Sequence, residues 1–140
     1  MKNKFIAIIL GIFLIAGIVA ISGCTSSTKE ILVGQYKATD NANGNALIVT
    51  LPNGTQSVRA EYVLNAPSNY GMGGNGNMGV TDQSLQQGED PWMNGEITDS
   101  QYLEGKSKTL SGNFTFGSGK YFAYQGMFTG TIKVYANVTE

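Results

Sequence analysis

Histidine is absent from this 140-residue chain, and cysteine occurs once, at Cys24. Those two scarcities exclude an intrachain disulfide and the His/Cys ligand sets that hold zinc or copper. Charged residues are also sparse, at 14% of the chain. Setting aside Lys2 and Lys4 with residues 1–23 leaves seven basic residues against ten acidic ones, a net charge of −3 with no basic stripe. Nucleic acid is therefore not an expected partner. With no histidine, no thiol beyond Cys24 and no recognisable nucleophile setting, no catalytic machinery is evident, and a non-catalytic protein without cofactor or metal is expected.

What the chain does have begins with an apolar run. Two lysines in the first four residues precede residues 5–21, which are apolar or glycine throughout. This is the layout of an export signal or membrane anchor, a positive start followed by an apolar stretch. As a helix it would extend ~26 Å, the short limit for crossing a bilayer, so length does not separate a cleaved signal from a retained anchor. The run ends in Ile21-Ser22-Gly23-Cys24, followed by Thr25, Ser26, Ser27 and Thr28. The tetrapeptide resembles the lipobox of prokaryotic lipoproteins, in which an aliphatic residue and two small ones precede the cysteine that is lipidated. The resemblance implies a signal peptide over residues 1–23, a lipid on Cys24, a tether over residues 24–30 and a domain held outside the cytoplasmic membrane. The lysines favour that orientation, and two acyl chains anchor stably where one is marginal.

Residues 31–140 suit one domain. Alternation marks three segments. In residues 56–64, Val58, Ala60, Tyr62 and Leu64 oppose Arg59 and Glu61. Residues 109–116 set Leu110, Gly112, Phe114 and Phe116 against Thr109, Ser111, Asn113 and Thr115, and residues 128–138 set Phe128, Gly130, Ile132, Val134, Ala136 and Val138 against Thr131, Lys133, Tyr135 and Asn137. Period two with β-branched and aromatic enrichment predicts half-buried strands. Residues 31–37, 46–51 and 121–124 are weaker candidates, and only residues 82–87 suggest a helical turn. Pro52-Asn53-Gly54 predicts a hairpin between the second and third strands, and Gly117-Ser118-Gly119 a turn before Tyr121. The expected fold is all-β, an antiparallel β-sandwich of about seven strands after the N-terminal signal or anchor helix. The segment "LEGKSKTLSGNFTF" is similar to the later part of immunoglobulin-like modules common on prokaryotic surfaces, which implies an immunoglobulin-like sandwich.

Residues 65–95 read instead as a long Gly/Asn-rich loop, functional or flexible. Gly71, Gly73 and Gly76 match GxGxxG, but no helix follows, as a dinucleotide site requires. Met72 and Met78 alone make a poor soft-metal site. Asp40 opens a stretch like a calcium loop, yet Ala42, Gly44 and Leu51 occupy ligand positions. Carboxylates at Glu89, Asp90, Glu96 and Asp99 read as solvation rather than as an acid/base pair. Trp92 is either a plug over one end of the sandwich or, with Tyr70 and Asp90, a platform for a sugar or a partner peptide. Asn53, Asn113 and Asn137 head N-x-[ST] sequons on a turn and two outward strand faces, where N-glycans would not disturb a core. The functional expectation is a lipid-anchored surface module whose partner is an envelope protein or a surface glycan. The alternative is a small solute- or glycan-binding lipoprotein using the loop from Tyr70 to Trp92.

Replacing Cys24 with Ser should abolish incorporation of labelled fatty acid, leaving an uncleaved precursor or, if another protease cuts, a released domain. Labelling that persists in the variant would show that the lipid is elsewhere.

Overall fold

The computed structural model describes residues 26–38, 45–66, 74–87, 90–94, 97–105 and 109–140. They form eight strands: β1 Thr28–Ala38, β2 Asn45–Thr50, β3 Thr55–Asn65, β4 Gly74–Thr81, β5 Asp99–Gly105, β6 Thr109–Phe116, β7 Tyr121–Gly126 and β8 Thr129–Thr139. One helical turn, α1 Pro91–Asn94, lies between β4 and β5. The apolar run and Cys24 lie outside the described residues.

The pairing follows a simple rule. β4 pairs with β5, β3 with β6, β2 with β7 and β1 with β8, all antiparallel. The chain is thus a long ribbon doubled back at the β4–β5 connection. Rolling it up adds the pairs β3–β8 and β4–β7 and gives two four-stranded sheets, ordered β1-β8-β3-β6 and β2-β7-β4-β5. Two packed sheets of this double Greek-key kind make a jelly roll. The expected all-β antiparallel sandwich is present, with eight strands rather than about seven. Its strand order departs from the immunoglobulin one, which would pair the first strand with the second.

The three strongly alternating segments are β3, β6 and β8. Val58, Ala60 and Leu64 of β3 and Ile132, Val134 and Ala136 of β8 are fully buried between the sheets. Phe116, Phe122, Tyr124 and Phe128 fill the same core. The Pro52-Asn53-Gly54 turn forms, with the Thr55 N–H donating to the Pro52 carbonyl (3.3 Å) and Gly54 at φ 83°. That positive φ is why the position needs glycine. It is not a hairpin, however: β2 and β3 belong to different sheets, and every connection except β4–β5 crosses between layers.

Three further expectations are corrected. Residues 65–95 are not one loop, because residues 74–81 form β4, paired on both sides in the second sheet. Its Met78 and Val80 are completely buried, so Met78 is a core residue rather than half of a soft-metal site; Met72 lies outside the described residues. The glycines of β4 hid the strand because two of them do the work of core positions. A Cβ on Gly76 would lie 3.2 Å from the rings of both Phe128 and Tyr124. The helical turn sits at residues 91–94, not 82–87, and β1 begins at Thr28, inside the expected tether.

Gly76→Val should overpack this contact and cost about 1–3 kcal/mol. The Tm should fall by on the order of 4 °C per kcal/mol in a domain of this size. An unchanged Tm in thermal denaturation would mean that the rings can move aside.

Candidate functional site

Two surfaces deserve comparison, the outer face of each sheet. On the second sheet, Ile48 of β2 and Ala123 of β7 point away from the sandwich. The chain between β4 and β5 returns across them, so that Leu85, Trp92 and Ile97 build a small second core with Tyr121. Gly79 permits the close approach, since a Cβ there would collide with the Asp99 carbonyl and the Ile97 side chain. Asp90 starts the helical turn: its Oδ1 accepts the Trp92 backbone N–H at 2.9 Å, and its Oδ2 accepts the Gln125 amide at 3.2 Å. Pro91 is fully buried. Trp92 is half-buried, and it plugs neither an end of the sandwich nor stands free as a platform; it covers the back of β2 and β7. Asp99 is also structural, its Oδ2 accepting the Gly117 backbone N–H at 3.0 Å. Tyr70, Glu89 and Glu96 lie outside the described residues, so the structure brings together only Asp90 and Trp92 of the expected loop site.

The outer face of the first sheet is organised by Arg59, the single arginine of the chain. Strand alternation puts it on the solvent side of β3, directly opposite Tyr135 of β8. Its guanidinium lies 4.1 Å from the centre of the Tyr135 ring. From there Nε and Nη2 reach over β8 to both carboxylate oxygens of Glu30 on β1, at 2.8 and 2.9 Å. On the other side Nη1 donates to Oδ1 of Asn113 on β6 at 2.9 Å, and to Glu61 at 3.4 Å. One side chain therefore ties all four strands of the sheet. The two-pronged contact holds the Glu30 carboxyl below the usual carboxylate range, Arg59 acting first through hydrogen bonds and then through charge. The same contact holds the guanidinium even further above its ordinary pKa. One step along the sheet, Lys133 Nζ stands 4.0 Å from Glu61. Gln35, Glu61, Val63, Thr131 and Lys133 border an open depression of about 270 Å³. Leu32 and Val63 expose about half of their surface on this face.

The sequons fall in distinct settings. Asn53 is fully presented at its turn. Asn113 is exposed and uses only its oxygen toward Arg59, which leaves the amide nitrogen open. Asn137 is half-buried and donates that nitrogen to Ser57 Oγ at 3.0 Å, a bond that a glycan would break. Asn53 and Asn113 are thus the better-placed acceptors. Among the described residues no group of three or more acidic or thiol ligands could hold a metal. In the interior, the Tyr124 hydroxyl is buried with no hydrogen-bond partner of normal geometry among the described residues. Burial holds its pKa well above the usual phenol range, and the Phe128 backbone amide opposes this only in part.

The Arg59 network was missed in the sequence. Its outward position was legible from the alternation, but its partners lie 29 residues earlier and 54 later. No protein-family model matches the chain, and no curated protein matches it. Among solved structures the chain is similar to one from the disulfide-linked pili that form Bacillus endospore appendages. The two share 13% identity over 83% of this chain and 94% of that one, with a TM-score of 0.40.

The Glu30–Arg59 pair sets a pH dependence. A carboxyl with a depressed folded pKa adds stability above its unfolded value, near 4.5, and that stability is lost as pH falls through the lower folded value. Both side chains are partly exposed (39% and 27%), so screening limits the effect to at most ~1 kcal/mol. Glu30→Gln should be less stable than the parent by that amount at neutral pH in urea denaturation, with the two curves converging in strong acid. A gap that persists in acid would assign the loss to packing rather than charge.

Proposed function

We propose that this protein is a lipid-anchored, non-catalytic interaction module, held outside the cytoplasmic membrane by Cys24 and contacting an envelope protein or surface glycan through the outer face of its first sheet. The observation that carries the reading is that face. It is tied by Arg59 across four strands, and it presents apolar Leu32 and Val63 among Gln35, Glu61, Thr131, Lys133 and Tyr135. A mixture of exposed apolar side chains and oriented polar groups is what a recognition surface requires. The polar groups near Trp92, by contrast, are spent on structure: Asp90 holds α1 and Gln125, and the indole packs against Ile48 and Ala123.

A second reading, recognition of a small solute or a single sugar unit, is favoured by the depression on the same face. Its volume of about 270 Å³ falls just under the range of about 300–1,000 Å³ that takes drug-sized ligands. The ligand site would then lie at Gln35, Glu61 and Lys133, not along the stretch from Tyr70 to Trp92.

A photo-cross-linking amino acid placed at Val63 or Leu32 in intact cells should yield a discrete adduct. The same group at Tyr102, which is exposed on β5 of the other sheet, should not. Adducts only at Tyr102 would move the contact surface to the second sheet, and adducts from neither would refute a stable protein partner on the first.

A further inference from the structure

Each sheet has two edge strands, and three of the four edges are protected. β1 carries a bulge between Leu32 and Gly34 and three charged residues, Lys29, Glu30 and Lys37. β2 is only six residues long, and its Ile48 carbonyl accepts the side-chain amide of Gln87 from the connection crossing behind it. β5 carries Asp99 and Glu104. These are the usual devices that stop an edge from pairing with another strand: charge, bulges, short length or a covering segment.

Among the described residues, β6 has none of them. Thr109–Phe116 contains no charge and no proline, and it runs for eight residues against β3 without a register shift. Among the described residues, no backbone group outside the sheet bonds to residues 110–116. Asp99 reaches only the N–H of Gly117, just past the strand. The inward side chains at this edge are only half covered: Leu110 and Phe114 are partly exposed while packed against the core. The Phe114 ring stands 5.3 Å from Tyr62 of β3 and 6.4 Å from Phe116 of its own strand. A regular, uncharged strand with apolar inner side chains is a template for another strand.

We propose that β6 pairs with β6 of a second copy of this chain, joining two first sheets into one continuous eight-stranded sheet. The strand is its own best complement. It brings no charge to repel its image, and antiparallel pairing about a two-fold axis at Asn113 sets Ser111 opposite Thr115 of the other copy, twice. On the inner side the same register sets Leu110 opposite Phe116 and Gly112 opposite Phe114 of the other copy; the space over Gly112 is filled by Tyr62 of its own chain. The pairing is independent of the contact face proposed above, which lies on the flat of the sheet rather than its edge. It also gives Asn113 two mutually exclusive uses, because a glycan at that sequon would stand on the two-fold axis.

The test uses the full chain, made in a host without N-glycosylation and held in detergent micelles. In a Cys24→Ser background, Asn113→Cys places the new thiol opposite its own image, with Cβ atoms about 4.5–5.5 Å apart, and mild oxidation should give a covalent dimer. Ser111→Cys, whose image lies four residues away along the strand, should give at least tenfold less. Sedimentation velocity on the unsubstituted chain should show a concentration-dependent dimer that Ser111→Lys with Thr115→Lys weakens at least tenfold, with the circular dichroism spectrum unchanged. Equal cross-linking from both thiols, a monomer at every concentration, or a dimer indifferent to the added lysines would overturn the proposal. The last result would place self-association in the apolar N-terminal segment.

Discussion

The sandwich is built around the room that Tyr124 and Phe128 need. Both rings are fully buried, and they lie where Gly76 of β4, Gly105 of β5 and Gly126 of β7 leave side chains out. An added Cβ at Gly126 would stand 2.9 Å from the Cα of Gly76, and one at Gly105 would stand 3.1 Å from the Phe128 ring. Because an interior packed at crystal density tolerates little change in volume, the glycines and the rings are one unit. If either changes, β4 cannot sit centrally between β5 and β7, and the second sheet loses its middle. The buried Tyr124 hydroxyl belongs to the same compromise: the aromatic body fills the space and its polar end is carried out of water with it, near the Phe128 backbone amide.

That unit also explains which parts of the fold were legible in the sequence. Strands β3, β6 and β8 could be read directly, since their buried positions are occupied by Val, Ala, Leu, Ile or Phe alternating with Thr, Lys, Arg and Asn. β4 could not. Its inward positions are Gly74, Gly76, Met78 and Val80, and half of that set has no side chain to register as apolar; the bulk that fills the space comes from β7 and the residue before β8. Period-two reasoning assumes that each strand brings its own share of the core, and here one strand borrows its share from its neighbours. The strand order was equally out of reach, because the turns at Gly54 and Gly117–Gly119 announce a reversal of the chain without saying whether it stays in one sheet. Of the expected site, Asn53 and Asn113 are exposed, whereas Asn137, on the outward side of β8, is half-buried and bonded to Ser57. Trp92 was left open in the sequence between an end plug and a platform, and the surface it covers is made by β2 and β7 residues far from it in the chain.

The outer face of the first sheet is organised by one guanidinium beside Glu30 and Glu61. A single exposed ion pair contributes little to stability, so the consequence of the Arg59 contacts is geometric. Glu30, Tyr135, Asn113 and Glu61 are kept at fixed separations across four strands, and the aliphatic surfaces of Leu32 and Val63 lie between fixed polar landmarks. A surface ordered in advance loses less freedom when a partner arrives. The chain devotes its only arginine to that order, consistent with the planar, multi-donor geometry that lysine lacks.

The doubled ribbon has a consequence for the order in which the protein can form. Its first strand pairs with its last, Thr28 opposite Thr139, while the one pairing between consecutive strands, β4 with β5, lies near the middle of the chain. A polypeptide emerging from a ribosome N-terminus first therefore presents β1, β2 and β3 before any of their ribbon partners exists. Loop closure favours the centre, so assembly would start at β4 and β5 and run outward, with the strand nearest Cys24 secured only when the final residues arrive. Such dependence on distant pairings makes for slow folding, and it leaves β1 without its partner until β8 has been made.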